Sequence, residues 1–253
     1  MPEPRVALVT GAAGGIGRAS ALALAEAGWD VALADVREAA GAAEAVRVLG
    51  RRALAMALDV TSKAGVEAVV ARILAEFGRV DALVNVAGVV GFGSAAEMPE
   101  AEWDRVLAVN LKGTFLACQA VIPAMRAQGG GRIVNIGSII GKNGGNARPW
   151  LDRAEQQRSG SAAYGVSKAG VHALTFFLAK ELAADNIAVN AVAPGPIASA
   201  MTTTFPDALK ALIPVGRMGT AEEVARVVAF LAAPETGFVT GEIVDVNGGM
   251  WMD

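Results

Sequence analysis

One cysteine, one histidine and one tyrosine in 253 residues leave little soft or titratable chemistry to distribute. Cys118 by itself makes no disulfide framework or thiolate cluster. Adding His172 still leaves too few ligands for a zinc centre, so no metal site is expected. A Ser-His-Asp or Cys-His mechanism would hang on His172 alone, and that residue lies four positions past Lys168 in a helical stretch, where it is read as structural. No apolar run approaches the ~20 residues needed to cross a bilayer. The opening Met-Pro-Glu-Pro-Arg, followed at once by Val-Ala-Leu-Val-Thr, lacks the layout of a signal peptide. A soluble cytoplasmic protein without a membrane partner is expected. The net charge is −3 with both signs interspersed, so there is no basic stripe suited to nucleic acid.

What the chain has is apolar residues, 53% of the total, arranged in alternating strands and helices. Short apolar runs at Arg5–Thr10, Asp30–Ala34, Ala53–Leu58, Val80–Asn85, Arg132–Ile136, Asn186–Ala193 and Gly241–Val246 alternate with helical patterns. Those helices are expected at Arg18–Ala27, Glu38–Leu49, Ser62–Phe77, Glu100–Met125, up to Leu182 after Tyr164, and from a Thr220 cap to Ala232. Near-continuous apolar strands separated by helices predict an α/β fold with a parallel sheet covered on both faces. Residues 1–253 read as one domain, without repeats or low-complexity tracts. Two segments break the pattern: an insertion at about 140–161 and an irregular stretch at about 195–218 that suits an active-site cover.

The first strand runs directly into Gly11-Ala12-Ala13-Gly14-Gly15-Ile16-Gly17 and then a helix. In that context glycines let the backbone approach a phosphate and present helix N-terminal N–H groups to it. Asp35 ends the second strand, 18 residues beyond Gly17, where an acidic side chain hydrogen-bonds a ribose 2′-hydroxyl and repels a 2′-phosphate. NAD rather than NADP is expected, with Arg18 and Arg37 able to soften the preference. Asp59-Val60, Asn85-Val86-Ala87-Gly88 and Gly137-Ser138 follow later strands, at the sheet edge where ligands of parallel sheets bind. Asn110 interrupts an apolar helix and needs hydrogen bonds if buried. In Tyr164-Gly-Val-Ser-Lys168 a phenol and an ammonium lie about one helical turn apart, and a cation so placed is expected to lower the phenol's pKa from ~10.

Together Thr10-Gly-x-x-x-Gly15-Ile16-Gly17, Asp59, Asn85-x-Ala87-Gly88, Asn110, Ser138, Tyr164-x-x-x-Lys168 and Pro194-Gly195 occur in the order seen in the short-chain dehydrogenase/reductase family. The chain resembles that family over essentially its whole length. Pro214-Val-Gly-Arg-Met-Gly-Thr220 and the tail Val-Asn-Gly-Gly-Met look most like the 3-oxoacyl-carrier-protein reductase branch. The resemblance implies a Rossmann fold with a doubly wound seven-stranded parallel sheet and a homotetramer. It also implies a catalytic tetrad in which Tyr164 is general acid or base, Lys168 lowers its pKa and holds the nicotinamide ribose, Ser138 binds the substrate oxygen and Asn110 holds a water. Cofactor contacts implied are the backbone at Gly11, Gly15, Ile16, Gly17, Val60, Asn85, Ala87 and Gly88, then Asp35, Asp59, Tyr164, Lys168, Pro194 and Gly195, and Ile197 with Ser199 at the carboxamide.

Three departures stand out. Val86 replaces a second Asn, Ser199 replaces a Thr, and the 26-residue interval from Ser138 to Tyr164 is about twice what the family shows. Arg148, Trp150 and Arg153 in that insertion are expected to help select the substrate. Asp35 departs from the fatty-acid-synthesis reductases, which normally take NADPH. The first expectation is therefore reversible NAD-dependent oxidation of a small secondary alcohol to a ketone. The alternative is a 3-oxoacyl-thioester reductase acting on an acyl-carrier-protein or coenzyme A thioester. A non-catalytic NAD-binding sensor fits least, since Tyr164, Lys168 and Ser138 are all present.

Overall fold

The computed structural model describes residues 4–145, 148–198 and 206–252. Seven strands form one parallel sheet: β1 (Val6–Thr10), β2 (Asp30–Asp35), β3 (Ala53–Ala57), β4 (Ala82–Asn85), β5 (Gly131–Ile136), β6 (Ile187–Pro194) and β7 (Ile243–Val246), in the order β3-β2-β1-β4-β5-β6-β7. The direction of winding reverses between β1 and β4. A crevice therefore opens beyond the carboxyl ends of those two strands, the place where such sheets bind ligands.

Alternation along each strand sorts the apolar residues to two faces. Leu8, Ala32, Leu83, Ile133 and Val189 point to one side and pack with α3 (Lys63–Phe77), α5 (Gly113–Ala127) and α8 (Ala162–Leu182). Val9, Leu33, Val84 and Val134 point to the other and pack with α1 (Gly15–Glu26), α2 (Ala40–Val48) and α10 (Ala221–Ala232). This doubly wound arrangement is the one expected from the sequence.

Local chemistry sets the helix ends. Ser62 accepts a hydrogen bond from the Gly65 N–H and caps α3, whose far end stops at left-handed Gly78. Thr220 and Glu223 form a reciprocal capping box at the start of α10.

One expectation needs correction. The predicted single helix over Glu100–Met125 is α4 (Glu100–Leu107), one wide π turn at Ala108–Lys112, and then α5. By length and composition alone Glu100–Ala127 is apolar enough to span a membrane. Its inward face, however, carries Val106, Leu116, Val121 and Met125, all packed within the protein. The insertion, which breaks the strand-helix alternation in the sequence, contains α6 (Ile140–Asn143) and α7 (Arg153–Ser159), the latter capped by Asp152 accepting from the Glu155 N–H. The short α9 (Asp207–Lys210) completes the helices used below.

Candidate active site

The glycine loop lies across the crevice mouth. Thr10, buried at the end of β1, accepts hydrogen bonds from the N–H groups of Val86 (3.1 Å) and Ala87 (3.3 Å) and so ties the two central strands together. Val86, for all its departure from the family pattern, keeps this backbone bond. Gly11 has φ of 67°, and a Cβ there would lie 2.7 Å from the Ala87 nitrogen, so only glycine fits. At Gly17 a Cβ would fall 2.1 Å from the Gly11 carbonyl oxygen, which explains how closely α1 seats on the loop. Gly15, at φ 52°, faces open space. Gly14 caps α1 with no side-chain hydrogen bond, and no acidic residue stands in the first turn. The helix thus presents uncapped N–H groups through a surface without side chains, which fits a dinucleotide's phosphates.

Asp35 is buried at the end of β2. One carboxylate oxygen accepts from the Ala13 N–H and the other from the Arg37 N–H, each at 2.9 Å, leaving one lone pair on each oxygen for hydroxyl donors. The exposed Arg37 guanidinium stands 3.6 Å from Asp35. Beyond β3, Asp59 is exposed and accepts from the Thr61 N–H and hydroxyl at 2.9 and 2.8 Å, while Val60 is buried against Gly113. Pro194 ends β6. Gly195 lies against Asn247, and Ile197 bridges to Gly219. Ser199 lies outside the described residues.

Four side chains from three elements meet beside this loop. Ser138, just past β5, and Tyr164, in the first turn of α8, line the same cleft, with the Ser138 hydroxyl near enough to the phenol to lower its pKa. Lys168, one turn further along α8, is buried with its Nζ 5.8 Å from the centre of the Tyr164 ring and donating to the Ile136 carbonyl at 2.7 Å. Asn110 sits on the π turn, fully buried, accepting from the Val89 N–H at 2.8 Å and donating to the Val89 carbonyl and the Ser167 hydroxyl at 2.9 and 3.0 Å. A Cβ on Gly88 would lie 3.3 Å from Asn110 Oδ1 and 3.6 Å from Lys168 Nζ, so Gly88 is the point on which these two converge.

The electrostatics differ from the expectation that Lys168 lowers the phenol. Burial raises the Tyr164 pKa, and the nearby Ser138 hydroxyl draws it back only in part. Burial also pushes Lys168 down to about 8. The ammonium lies under the ring and is directed at the Ile136 carbonyl, so it meets the phenol oxygen less directly than the one-turn spacing suggests.

Sequence reading missed what holds these residues in place. Beneath the site runs a buried polar ladder in which Asn85 donates to Asn135 at 2.9 Å and Asn135 to Thr175 at 3.0 Å. The Asn85 side chain therefore points into the core, leaving only its backbone toward the crevice. His172 accepts from the Ser138 N–H at 3.3 Å, and a Cβ on Gly137 would lie 2.0 Å from its Nε2. Lys168, His172 and Thr175 thus dock successive residues of the β5 end onto α8. The available signal was polar Asn135 inside the apolar run Arg-Ile-Val-Asn-Ile.

Among the described residues no group of three His, Cys, Asp or Glu side chains is placed to hold a metal ion. The site opens into a cleft of about 570 Å³ lined by Val90, Phe92, Ser138, Ile140, Tyr164 and Pro194 among others, with Trp150, Glu155 and Arg158 contributed by the insertion.

Residues 11–251 match the family described as enoyl-(acyl carrier protein) reductase. The chain is 41% identical to the 3-oxoacyl-[acyl-carrier-protein] reductase FabG of Vibrio cholerae, over 99% of this chain and 98% of that protein. It belongs to the short-chain dehydrogenase/reductase family. FabG of Escherichia coli is 40% identical over the same shares of the two chains. Among solved structures, acetoin dehydrogenase from Enterobacter cloacae superposes with a TM-score of 0.87 at 35% identity, covering 99% of this chain and 96% of that one. Membership of this family makes the chain an oxidoreductase that uses a nicotinamide cofactor and acts on a hydroxyl or keto group.

Proposed function

We propose that the chain reversibly oxidises a secondary alcohol to a ketone with NAD, through Tyr164, Ser138, Lys168 and Asn110. The observation that carries this reading is the Ser138–Tyr164 hydroxyl pair at the floor of the cleft, beside the open glycine loop. Hydride leaving or reaching the carbinol carbon makes its oxygen alkoxide-like, so a proton acceptor or donor is needed at hydrogen-bond distance. Tyr164 gives or takes that proton, and Ser138 holds the same oxygen in line with it. The nicotinamide, when bound, supplies the redox chemistry. Lys168 keeps a cation below the phenol and is within reach of a ribose at Gly88. Both amide hydrogens of Asn110 go to Val89 and Ser167, so its part is to fix the loop around Gly88 against α8.

NAD as the cofactor rests on Asp35, whose remaining lone pairs suit ribose hydroxyls and whose charge disfavours a 2′-phosphate. A second reading, reduction of a 3-oxoacyl thioester with NADPH, draws support from the names of the curated relatives.

We also propose one domain over residues 1–253, with the substrate side built by about 140–161 and about 195–218. Exposed Phe115 on α5 and Phe176 and Phe177 on α8 support a homotetramer, in keeping with a cytoplasmic enzyme. Light scattering that gives a stable monomer refutes the assembly. The test of the chemistry is Tyr164→Phe, expected to abolish turnover while NAD still binds. Retained turnover removes Tyr164 from its role.

A further inference from the structure

The insertion roofs the substrate side of the cleft. Its end is stitched to the loop after β4, where the Gly93 N–H donates to the Gly160 carbonyl at 2.7 Å and Gln157 donates to Glu97 at 2.8 Å. At Gly160 a Cβ would lie 2.6 Å from the Gly93 carbonyl oxygen, so the two segments touch backbone to backbone.

The three arginines near this roof have different partners. Arg148 is bidentate to Glu155 at 2.6 and 3.1 Å, and Glu155 also takes the Leu151 N–H at 2.7 Å. Both charges of that pair are therefore satisfied by each other. Arg153 lines a separate outer hollow with Ser94, Glu97 and Gln157. Arg158 lines the catalytic cleft itself, and no carboxylate lies within 4 Å of it among the described residues. Glu155, three residues away, reaches it only through space.

We propose that the substrate is a short hydroxy acid, or its oxo acid, whose carboxylate pairs with Arg158 while its carbinol oxygen meets Ser138 and Tyr164. This deepens the alcohol dehydrogenase reading above and rests on it. Glu155 pairs with Arg148, which leaves Arg158, among the described residues, as the one charge the insertion brings to the cleft without an ion-pair partner within 4 Å. A guanidinium fork matches a carboxylate in shape, and a single cation balances a monoanion better than a phosphate dianion. The walls between the two ends are apolar, with Phe92, Ile140, Trp150, Leu209 and Met250, so the middle of the substrate is hydrocarbon. The same 570 Å³ includes Pro194, Gly195 and Ile197, where the nicotinamide is proposed to lie, so the share left for substrate is small. A short acid suits that space.

The experiment compares kcat/KM for NAD reduction with short 3-hydroxy acids, their methyl esters and the matching phosphate monoesters, using wild type, Arg158→Leu and Arg158→Lys. Wild type is expected to favour the acid over its ester by at least about tenfold, mainly in KM. Arg158→Leu collapses that ratio toward one, and Arg158→Lys retains part of it. The ratio is internal to each protein, so a partly unfolded preparation does not distort it. Equal use of acid and ester by wild type, or a ratio untouched in Arg158→Leu, overturns the proposal while leaving the alcohol dehydrogenase reading intact. Preference for the phosphate monoester overturns the carboxylate assignment. Oxidation of none of these alcohols, with turnover confined to acyl thioesters, overturns the underlying reading and the proposal with it.

Discussion

Lys168→Met should make the fold more stable while destroying activity. Burial holds the ammonium down to about 8 from the ordinary lysine value of 10.5, and at about 1.4 kcal/mol per pH unit this is about 3 kcal/mol of fold stability lost to desolvating one cation. Methionine cannot donate to the Ile136 carbonyl, which Lys168 meets at 2.7 Å, and losing that bond costs about 2 kcal/mol. Methionine fills a similar volume without the charge, so a net gain of about 1 kcal/mol is expected, or roughly 2–4 °C in Tm for a chain of this length.

The pH dependence carries the sign. Folding lowers this pKa, so the unfolded chain binds more protons between about pH 8 and 10.5, and wild-type stability rises across that window. Below pH 8 the ammonium is charged in both states and its burial penalty is felt in full. The assay is urea unfolding of both proteins at pH 7, 8, 9 and 10, and the difference between the two curves is the reporting quantity. The gap should favour Lys168→Met at pH 7, close as the pH climbs and reverse in sign by about pH 10, because wild type regains about 3 kcal/mol between pH 8 and 10.5. A difference that stays constant with pH, with Lys168→Met no more resistant than wild type, refutes the reasoning.

Other outcomes are accessible to the same protein. Asp35→Ala should lower the NAD/NADP preference in kcat/KM by tenfold or more, since two unit charges about 4 Å apart near a protein surface interact by about 1–4 kcal/mol; an unchanged ratio shows that Asp35 does not set it. Gly137→Ala drives a methyl into His172 and should cost about 1–3 kcal/mol, with His172→Ala in the same chain restoring most of the loss. Strict additivity of those two substitutions would mean that the ring does not press on Gly137. Cys118 is fully buried and its thiol is pushed up to about 12, so iodoacetamide should modify it only as fast as the fold opens. Rapid labelling of native protein contradicts this burial.

The sheet and its edge residues were legible because their chemistry is local. Glycines between a strand and a helix, an acid at the end of the next strand, and a tyrosine and a lysine one turn apart each declare themselves within a few residues. What escaped is set by distant partners. Asn110 reads as a helix weakness, and only the π turn and its bonds to Val89 and Ser167 show why an amide belongs there. The direction of the Tyr164 shift follows from how deeply α8 is packed, which spacing does not reveal. Arg148 and Arg158 look equivalent in sequence, and the Glu155 partnership separates them. Asn135 and Thr175, forty residues apart, meet only because β5 and α8 lie together.

The crossing between β1 and β4 also orders events in time. A ribosome releases β1, β2 and β3 well before β4, so the inner edge of β1 waits without a neighbour until residue 85 has emerged. Gly11 takes its final shape only against the backbone of Ala87, and Thr10 has its two donors only from Val86 and Ala87. A nascent chain shorter than that should have no phosphate cradle, so the dinucleotide can be captured only after Ala87 has emerged.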